Sequence, residues 1–404
     1  MNVLFIHEVD WLNKVVFDIH SLAEVLSIRG HHVYAIDYEN NWRKNSLLDI
    51  GSLKTKVFAD VSRALAGSSV CVRRPGFIKI PGLSRLSAAF TNYLEIRKVI
   101  KKEQIDAILL YSVPTTGLQT IVIAKGCGIP VLFRSIDVLN QLTPVRLLRP
   151  ITRFLEKMVY SRVNGILCLT PGLSKYVTSL GADENKVGLL LMPVDTDIFY
   201  NFPPSEKVFQ KWGLTHQDKV ILFMGTLFDF CGLDDFIPLF QRVIEENPMA
   251  KLLIVGDGPQ RLKLEKLVSE LNLREKVIIT GFEPYEMMPH YINLASVCIN
   301  PFRINDATRD IFPGKTVQFL ACGKPLVASG LPGMKAVVTG ESQGVIYTDN
   351  SDEMVGEVVS LLNSPEKCER IGKAGFNYVA KVHSYDVIAG QLEEKIHEAV
   401  NNLH

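Results

Sequence analysis

Short apolar runs alternate with amphipathic stretches along most of this chain. In the first half the runs are NVLFIH, HVYAID, SVCVRR, AILLYS, PVLFRS and GILCLT, each of strand length and rich in β-branched or other apolar residues. Amphipathic segments such as FDIHSLAEVLSIRG and GLQTIVIAKGCG separate several of them. That rhythm predicts buried parallel strands joined by crossover helices. The second half repeats it with VILFMGT, KLLIVGDG, KVIITGF, SVCINPF, PLVASG and GVIYT. Between the halves, PVDTDIFYNFPPSEK (193–207) is polar and proline-containing and reads as a linker.

The pattern predicts an α/β protein of two Rossmann-like, doubly wound domains facing across a cleft, residues 1–200 and 201–384. The last helical stretch, YDVIAGQLEEKIHEAVNN, puts Ile388, Leu392, Ile396 and Val400 on one stripe that needs a partner. Residues 385–404 are therefore expected to pack back on the N-terminal domain. A length of 404 residues, with 47% hydrophobic and 22% charged, suits two full cores.

Charge is unevenly divided. Residues 1–200 carry 24 Lys and Arg against 17 Asp and Glu, whereas the remainder carries 20 against 26. The basic excess concentrates in 73–102, where eight cations face only Glu95, and again in 144–162. In the first of these the cations are interleaved with Phe77, Ile78, Ile80, Leu83, Leu86 and Phe90, a mixture that suits an anionic membrane surface or a polyanionic acceptor as well as an ordinary solvated face. Nucleic acid is not expected as a partner, because overall charge is near neutral and the chain has no binding module of that kind. With no apolar run of spanning length and no secretory signal at its start, the chain is expected to be cytoplasmic, held at most peripherally on the inner face of the membrane. Seven scattered cysteines without a CxxC pair read as reduced core thiols.

Open parallel sheets bind ligands at the carboxyl ends of their strands, so residues just past each run are the candidates for chemistry. In the second half these are Gly225-Thr226, Gly256-Asp257-Gly258, Gly281-Phe282 and the loop 301–310. In the first half, His7 and Glu8 end one strand and Tyr111 and Ser112 another, while Arg73 and Arg74 follow a third and could meet an anionic acceptor. One lysine is oddly placed. Phe312-Pro313-Gly314 runs into a helix and puts Lys315 in its first turn, where the macrodipole disfavours a cation unless an anion is present. A nicotinamide cofactor is not expected, since NVLFIHEVDWLNK lacks the glycines that let a pyrophosphate approach the first turn.

Taken together, VILFMGTLFDFCGLDDFIPLF, KLLIVGDGPQRLKLEKLVSELNLREKVIITGF and RDIFPGKTVQFLACGKPLVAS resemble the donor-binding domain of the family 4 retaining glycosyltransferases with the GT-B fold. SLAEVLSIRGHHV and LGADENKVGLLLMPVDTDIF resemble that family's first domain, so the likeness runs in order through nearly the whole chain. It implies a metal-independent glycosyltransferase of hexosyl type, with a nucleoside diphosphate sugar as substrate, no cofactor, and a glycan or lipid-linked acceptor in cell-surface polysaccharide or glycolipid assembly.

The resemblance also assigns roles. Gly314, Lys315 and Thr316 would hold the donor diphosphate, while Gly225, Thr226, Gly256, Asp257, Gly258, Phe282 and Arg309 complete the expected donor-binding set. Asp310 and Gln318 stand where the family has two acidic residues eight positions apart; Asp310 would bond the donor sugar and Gln318 a ribose hydroxyl. The family's arginine and lysine after the first strand of this domain correspond to Thr226 and Cys231, so Lys315 with Arg303 or Arg309 would replace them. The family's glycine pair in the first domain corresponds to Asn13-Lys14, with Lys14 offering a phosphate contact. Its histidine falls near Ile136, next to Asp137, which becomes the candidate for orienting acceptor or donor sugar. Asp137, Asp310 and Lys315 form the expected catalytic set. Two other readings stay open: a sugar-nucleotide epimerase, and a non-catalytic partner protein of the same fold.

Overall fold

The computed structural model describes residues 1–39, 49–143 and 145–403, so Pro144 of the second basic stretch lies outside the described residues. The chain divides into two compact units, one formed by 1–191 with 388–404 and the other by 192–387.

The first unit is an eight-stranded sheet. Its strands are β1 (Asn2–Ile6), β2 (His32–Ile36), β3 (Lys56–Val61), β4 (Val70–Arg74), β5 (Ala107–Leu110), β6 (Val131–Ser135), β7 (Gly165–Cys168) and β8 (Val187–Leu189). They lie in the order β3-β4-β2-β1-β5-β6-β7-β8, parallel except for β3, which runs antiparallel on β4. The six apolar runs became β1, β2, β4, β5, β6 and β7, while Arg73 and Arg74 belong to β4 itself rather than to the loop after it. Strand order reverses direction between β1 and β5, and this is the switch point of the sheet. The core gathers Val3 and Phe5 of β1, Ile19 and Leu22 of the helix Asp18–Ile28, and Leu109 of β5. Ile388, Leu392 and Ile396 of the helix Tyr385–Asn401 enter the same cluster, because their spacing of four puts three large apolar side chains on one face.

The second unit is a six-stranded parallel sheet of β9 (Lys219–Met224), β10 (Ala250–Val255), β11 (Val277–Gly281), β12 (Ala295–Asn300), β13 (Leu326–Ser329) and β14 (Val345–Thr348). The order β11-β10-β9-β12-β13-β14 is 3-2-1-4-5-6 when counted from β9, the doubly wound nucleotide-binding arrangement, with its switch point between β9 and β12. Ile221, Phe223, Leu252, Ile254, Val297 and Ile299 form the core with Phe236, Phe240 and Val358 from the covering helices.

Candidate functional site

In the second unit the loops at the carboxyl ends of β9 and β10 are locked together through backbone. Gly256 has φ +152, and a Cβ there would stand 1.9 Å from the carbonyl oxygen of Gly225. Gly258 has φ +159 and would put its Cβ 2.7 Å from Leu227 N. Both glycines are thus required by loop-to-loop contact before any ligand is considered. Gly225 N donates to Val255 O (2.9 Å), Leu227 N to Asp257 O (3.0 Å) and Phe228 N to Thr226 O (3.0 Å). Asp257 closes its own turn by accepting from Gly258 N at 2.7 Å and pairs with Arg261 at 3.1 Å. Phe282, past β11, is 66% exposed.

Lys315 opens the helix Lys315–Ala321, and its side chain turns inward to the switch point. Its Nζ lies 3.8 Å from the ring centroid of Phe223 on β9 and 4.4 Å from that of Phe302, two residues past β12. The ammonium is sealed from solvent and has no hydrogen-bond partner in the structure. Burial lowers its pKa from 10.5 to about 7, opposed by the thiols of Cys231 and Cys298. The two ring faces also favour the cation, each by roughly 1–2 kcal/mol in a desolvated site, so they offset part of that burial cost. More orphaned polar atoms accompany it: Thr316 Oγ1 in the same helical turn, and both amide atoms of Asn300, the last residue of β12. Asn300 was missed by sequence reasoning, although it is the polar residue that ends the apolar run SVCINPF.

The other candidates of this unit have identifiable neighbours. Gly314 packs its Cα side against Met192, whose Cε would be 3.2 Å from an added Cβ. Gln318 Nε2 reaches Tyr285 Oη at 3.5 Å. Arg309 is exposed, and its carbonyl accepts from Gly333 N at 2.7 Å. Asp310 follows it, half-buried, with its carbonyl so close to Gly333 that a Cβ there would fall 2.5 Å away. Arg303 is engaged elsewhere: it pairs with Asp234 (2.9 Å) and Asp235 (2.7 Å) and donates to Asp229 O. Cys231, at one of the substituted family positions, is a core residue.

In the first unit, His7 and Tyr111 meet at the switch point between β1 and β5, with rings stacked at 5.5 Å. Burial, with help from the charges of His20 and Lys14, lowers the His7 pKa to about 3, so the ring is neutral at physiological pH. Tyr111 Oη donates to Asp18 Oδ2 at 2.9 Å, and Asp18 is also held by Arg134. Asp137, two residues past β6, keeps part of its surface exposed, but burial of its carboxyl and the nearby charge of Asp18 raise its pKa to about 6, with Lys14 acting in the opposite sense. The structure therefore brings His7, Lys14, Tyr111 and Asp137 to the carboxyl end of one sheet.

It does not bring Arg73, Arg74 or Ser112 there as free groups. Arg73 pairs with Glu95 (2.9 Å) and Glu103 (2.7 Å). Arg74 pairs with Asp37 and with Asp10 (2.6 Å). Ser112 Oγ shares a hydrogen with Thr116 Oγ1 at 2.5 Å. The partners of the two arginines come from distant positions, which spacing along the chain does not reveal. Among the described residues no cluster of three His, Cys, Asp or Glu is arranged to hold a metal ion.

The same unit carries an apolar and basic outer face. The helix Leu83–Lys102 exposes Leu83, Leu86, Phe90 and Leu94 along one stripe, and Arg97, Lys98, Lys101 and Lys102 over its last turns. Leu147, Ile151 and Phe154, at the start of and within the helix Arg149–Tyr160, are also exposed, beside Arg146, Arg153 and Lys157. Among the described residues no helix is long and apolar enough to cross a membrane.

Two consecutive parallel α/β sheets, the second with a nucleotide-binding strand order, define a GT-B architecture. Two family models match in tandem, the one described as Glycosyltransferase Family 4 over residues 18–198 and the one described as Glycosyl transferases group 1 over 204–378. The chain belongs to the family 4 glycosyltransferases. It is 22% identical over 322 residues to the alpha-monoglucosyldiacylglycerol synthase of Streptococcus pneumoniae, covering 77% of this chain and 69% of that one. It is 27% identical over 184 residues to the alpha-D-kanosaminyltransferase of Streptomyces kanamyceticus, covering 45% of this chain and 46% of the relative. With a mannosyltransferase of Mycolicibacterium smegmatis, named as GDP-mannose-dependent and acting on phosphatidylinositol monomannoside, it shares 29% over 187 residues, or 45% and 48% of the two chains. Apart from the synthase, the chain spans about half the length of these curated relatives. Among solved structures, sucrose-phosphate synthase from Thermosynechococcus elongatus superposes with a TM-score of 0.73 at 17% identity, covering 98% and 99% of the two chains. Anabaena HepE in complex with UDP-glucose gives 0.73 at 15%, covering 98% and 100%. These similarities establish the fold.

Proposed function

We propose that this chain is a retaining glycosyltransferase that moves a sugar from a nucleoside diphosphate sugar to a glycan or lipid-linked acceptor, in the assembly of a cell-surface polysaccharide or glycolipid. The second unit holds the donor and the first the acceptor. The observation that carries this reading is the Lys315 ammonium at the switch point between β9 and β12, buried, ringed by Phe223 and Phe302, and without an acceptor for its protons. A buried unpartnered cation is costly, and a diphosphate at the carboxyl ends of these strands would supply the missing acceptors. Thr316 and Asn300 add further unpartnered groups on the same side of the sheet.

The chemistry needs little from the protein beyond position and charge. The bond from the anomeric carbon to the leaving phosphate oxygen breaks while the acceptor oxygen bonds to the same face. The acceptor proton passes to the leaving phosphate oxygen. Lys315 neutralises charge that grows on the diphosphate, and Asp310 and Asp137 orient sugar hydroxyls. The exposed apolar and basic face of the first unit fits an anionic leaflet, and two of the similar proteins carry lipid-containing names, which supports an acceptor presented at a membrane.

The reading as a non-catalytic partner has its own support in Cys231 and Arg303, since one is core and the other is saturated by carboxylates. The two are separated by thermal unfolding with UDP, GDP, ADP and dTDP and their sugars, run beside Lys315→Ala. A midpoint raised by one nucleotide in the parent alone supports donor binding, and transfer of labelled sugar from that donor to membrane extract tests turnover. If none of them raises the midpoint, the non-catalytic reading prevails.

A further inference from the structure

The edge of the second sheet opposite the switch-point loops holds a cavity of about 690 Å³. It opens at the amino ends of β9, β12 and β13, where Lys219, Ser296 and Lys324 stand, and is walled by Tyr200 and by Lys373 and Phe376 of the helix Pro365–Val382. Its volume falls in the range of small-molecule sites, roughly 300–1,000 Å³.

The charge in it is unbalanced. Three lysines line the cavity against one carboxylate, that of Glu369, and none of the three has an ion pair among the described residues. Lys324 is the most enclosed of them, and its Nζ donates to one acceptor, Asn293 O at 3.0 Å. Burial lowers the pKa of Lys324, so enclosure without a counter-charge works against its ammonium. Lys219 and Lys324 both favour the ionised form of the Cys368 thiol on the cavity wall, although burial outweighs them. Like charges gathered in a concave and partly apolar site are costly unless an anion answers them. Lysine ammoniums are compact point charges, and several lining one concave site match a dianion better than a singly charged carboxylate. Tyr200 and Phe376 offer ring surface for an apolar body.

We propose that this cavity is a second anion site, distinct from the donor loops, that takes a small organic phosphate monoester with its phosphate on Lys219, Lys324 and Lys373 and its body against Tyr200 and Phe376. Occupancy would be felt by the chain next to it. Asn293, whose carbonyl holds Lys324, also donates from Nδ2 to Tyr200 O (3.0 Å) and accepts from Phe202 N (3.2 Å), so the segment 200–202 is anchored by the residue that shares Lys324 with the ligand.

The test is calorimetric titration of the full chain with phenyl phosphate, with inorganic phosphate and sodium chloride at equal ionic strength as comparisons. Saturable phenyl phosphate binding is expected, weakened at least about tenfold in Lys219→Gln/Lys373→Gln and unchanged in Lys315→Ala. Both substituted lysines are exposed, so the variant keeps its fold. Absence of saturable binding, or equal binding by parent and double variant, overturns the proposal. So does loss in Lys315→Ala alone, which would place the anion at the donor loops. Inorganic phosphate binding as tightly as phenyl phosphate would remove the apolar body from the assignment. Because the site does not include Lys315, its outcome is independent of the donor reading.

Discussion

Asp18 and Arg134 form a two-pronged ion pair closed off from solvent at both ends, with Nη2 to Oδ1 at 2.7 Å and Nε to Oδ2 at 3.0 Å. Arg134 also donates to Leu190 O at 2.5 Å, so the pair ties the helix Asp18–Ile28 and β6 to the chain just past β8. Breaking it from one side leaves a buried charge without its partner. Asp18→Ala should destabilise the first unit by about 3–5 kcal/mol in urea unfolding, and the paired exchange Asp18→Leu/Arg134→Met by much less. Equal losses in the two variants would show that packing, not charge, dominates there.

Lys315→Met should separate stability from binding. An apolar side chain of similar length removes an unpartnered buried amine, so the free protein should gain on the order of 1 kcal/mol while nucleotide stabilisation disappears. The sign with pH follows from a folded pKa of about 7 against 10.5 in the unfolded chain. Lysine at this position is destabilising below about 7, and that cost is relieved as pH rises toward 10.5. The advantage of Lys315→Met should therefore be greatest below neutrality and fade in alkali. A constant difference across that window would count against a buried amine.

Asp137 behaves in the opposite direction. Its folded pKa of about 6 exceeds the ordinary 3.8, so the folded protein retains a proton that the unfolded chain has released between those values. Stability from this group falls as pH rises through that window, and the cost is complete above 6. Asp137→Asn should be the more stable protein well above pH 6 and indistinguishable from the parent in acid. If the carboxylate orients a sugar hydroxyl, transfer by the parent should also decline as pH drops through about 6, and the asparagine variant should be slow throughout.

Charge reversal at Arg97, Lys98, Lys101 and Lys102 should reduce sedimentation with phosphatidylglycerol vesicles by at least about tenfold, given roughly 1 kcal/mol per basic residue at an anionic surface. Leu86→Ser/Phe90→Ser should weaken binding to the same vesicles and make what remains more sensitive to salt. Unaltered sedimentation of both variants would assign this face to something other than lipid.

Gly256→Ala should lower stability by at least about 2 kcal/mol and abolish nucleotide stabilisation, because its Cβ would stand 1.9 Å from Gly225 O. An unchanged unfolding midpoint would mean that the loops are not held by that contact.

How much of this was legible beforehand depends on where the information resides. The long apolar runs announced twelve of the strands, since parallel strands buried on both faces are apolar throughout. β3 was not announced, because KVFADV is an exposed antiparallel edge with a polar pattern, nor was β8, which spans three residues. Lys315 could be singled out from its place in a first helical turn. That its amine would lie between Phe223 and Phe302 is tertiary information, since one ring comes from 92 residues earlier in the sequence. The counter-charges of Arg73 and Arg74 were hidden for the same reason: Glu95, Glu103, Asp37 and Asp10 join them only in the folded sheet.

The core of the first unit takes Ile388, Leu392, Ile396 and Ala399 from the last helix of the chain. During synthesis at the ribosome, N-terminal domains ordinarily fold first. Here residues 1–191 emerge early but must wait for the closing residues before their hydrophobic centre is filled. The second unit, contained within 192–387, is complete before that moment and can fold ahead of its predecessor. A nascent chain stalled before Ile388 would therefore present a first unit whose hydrophobic centre lacks the side chains of Ile388, Leu392, Ile396 and Ala399.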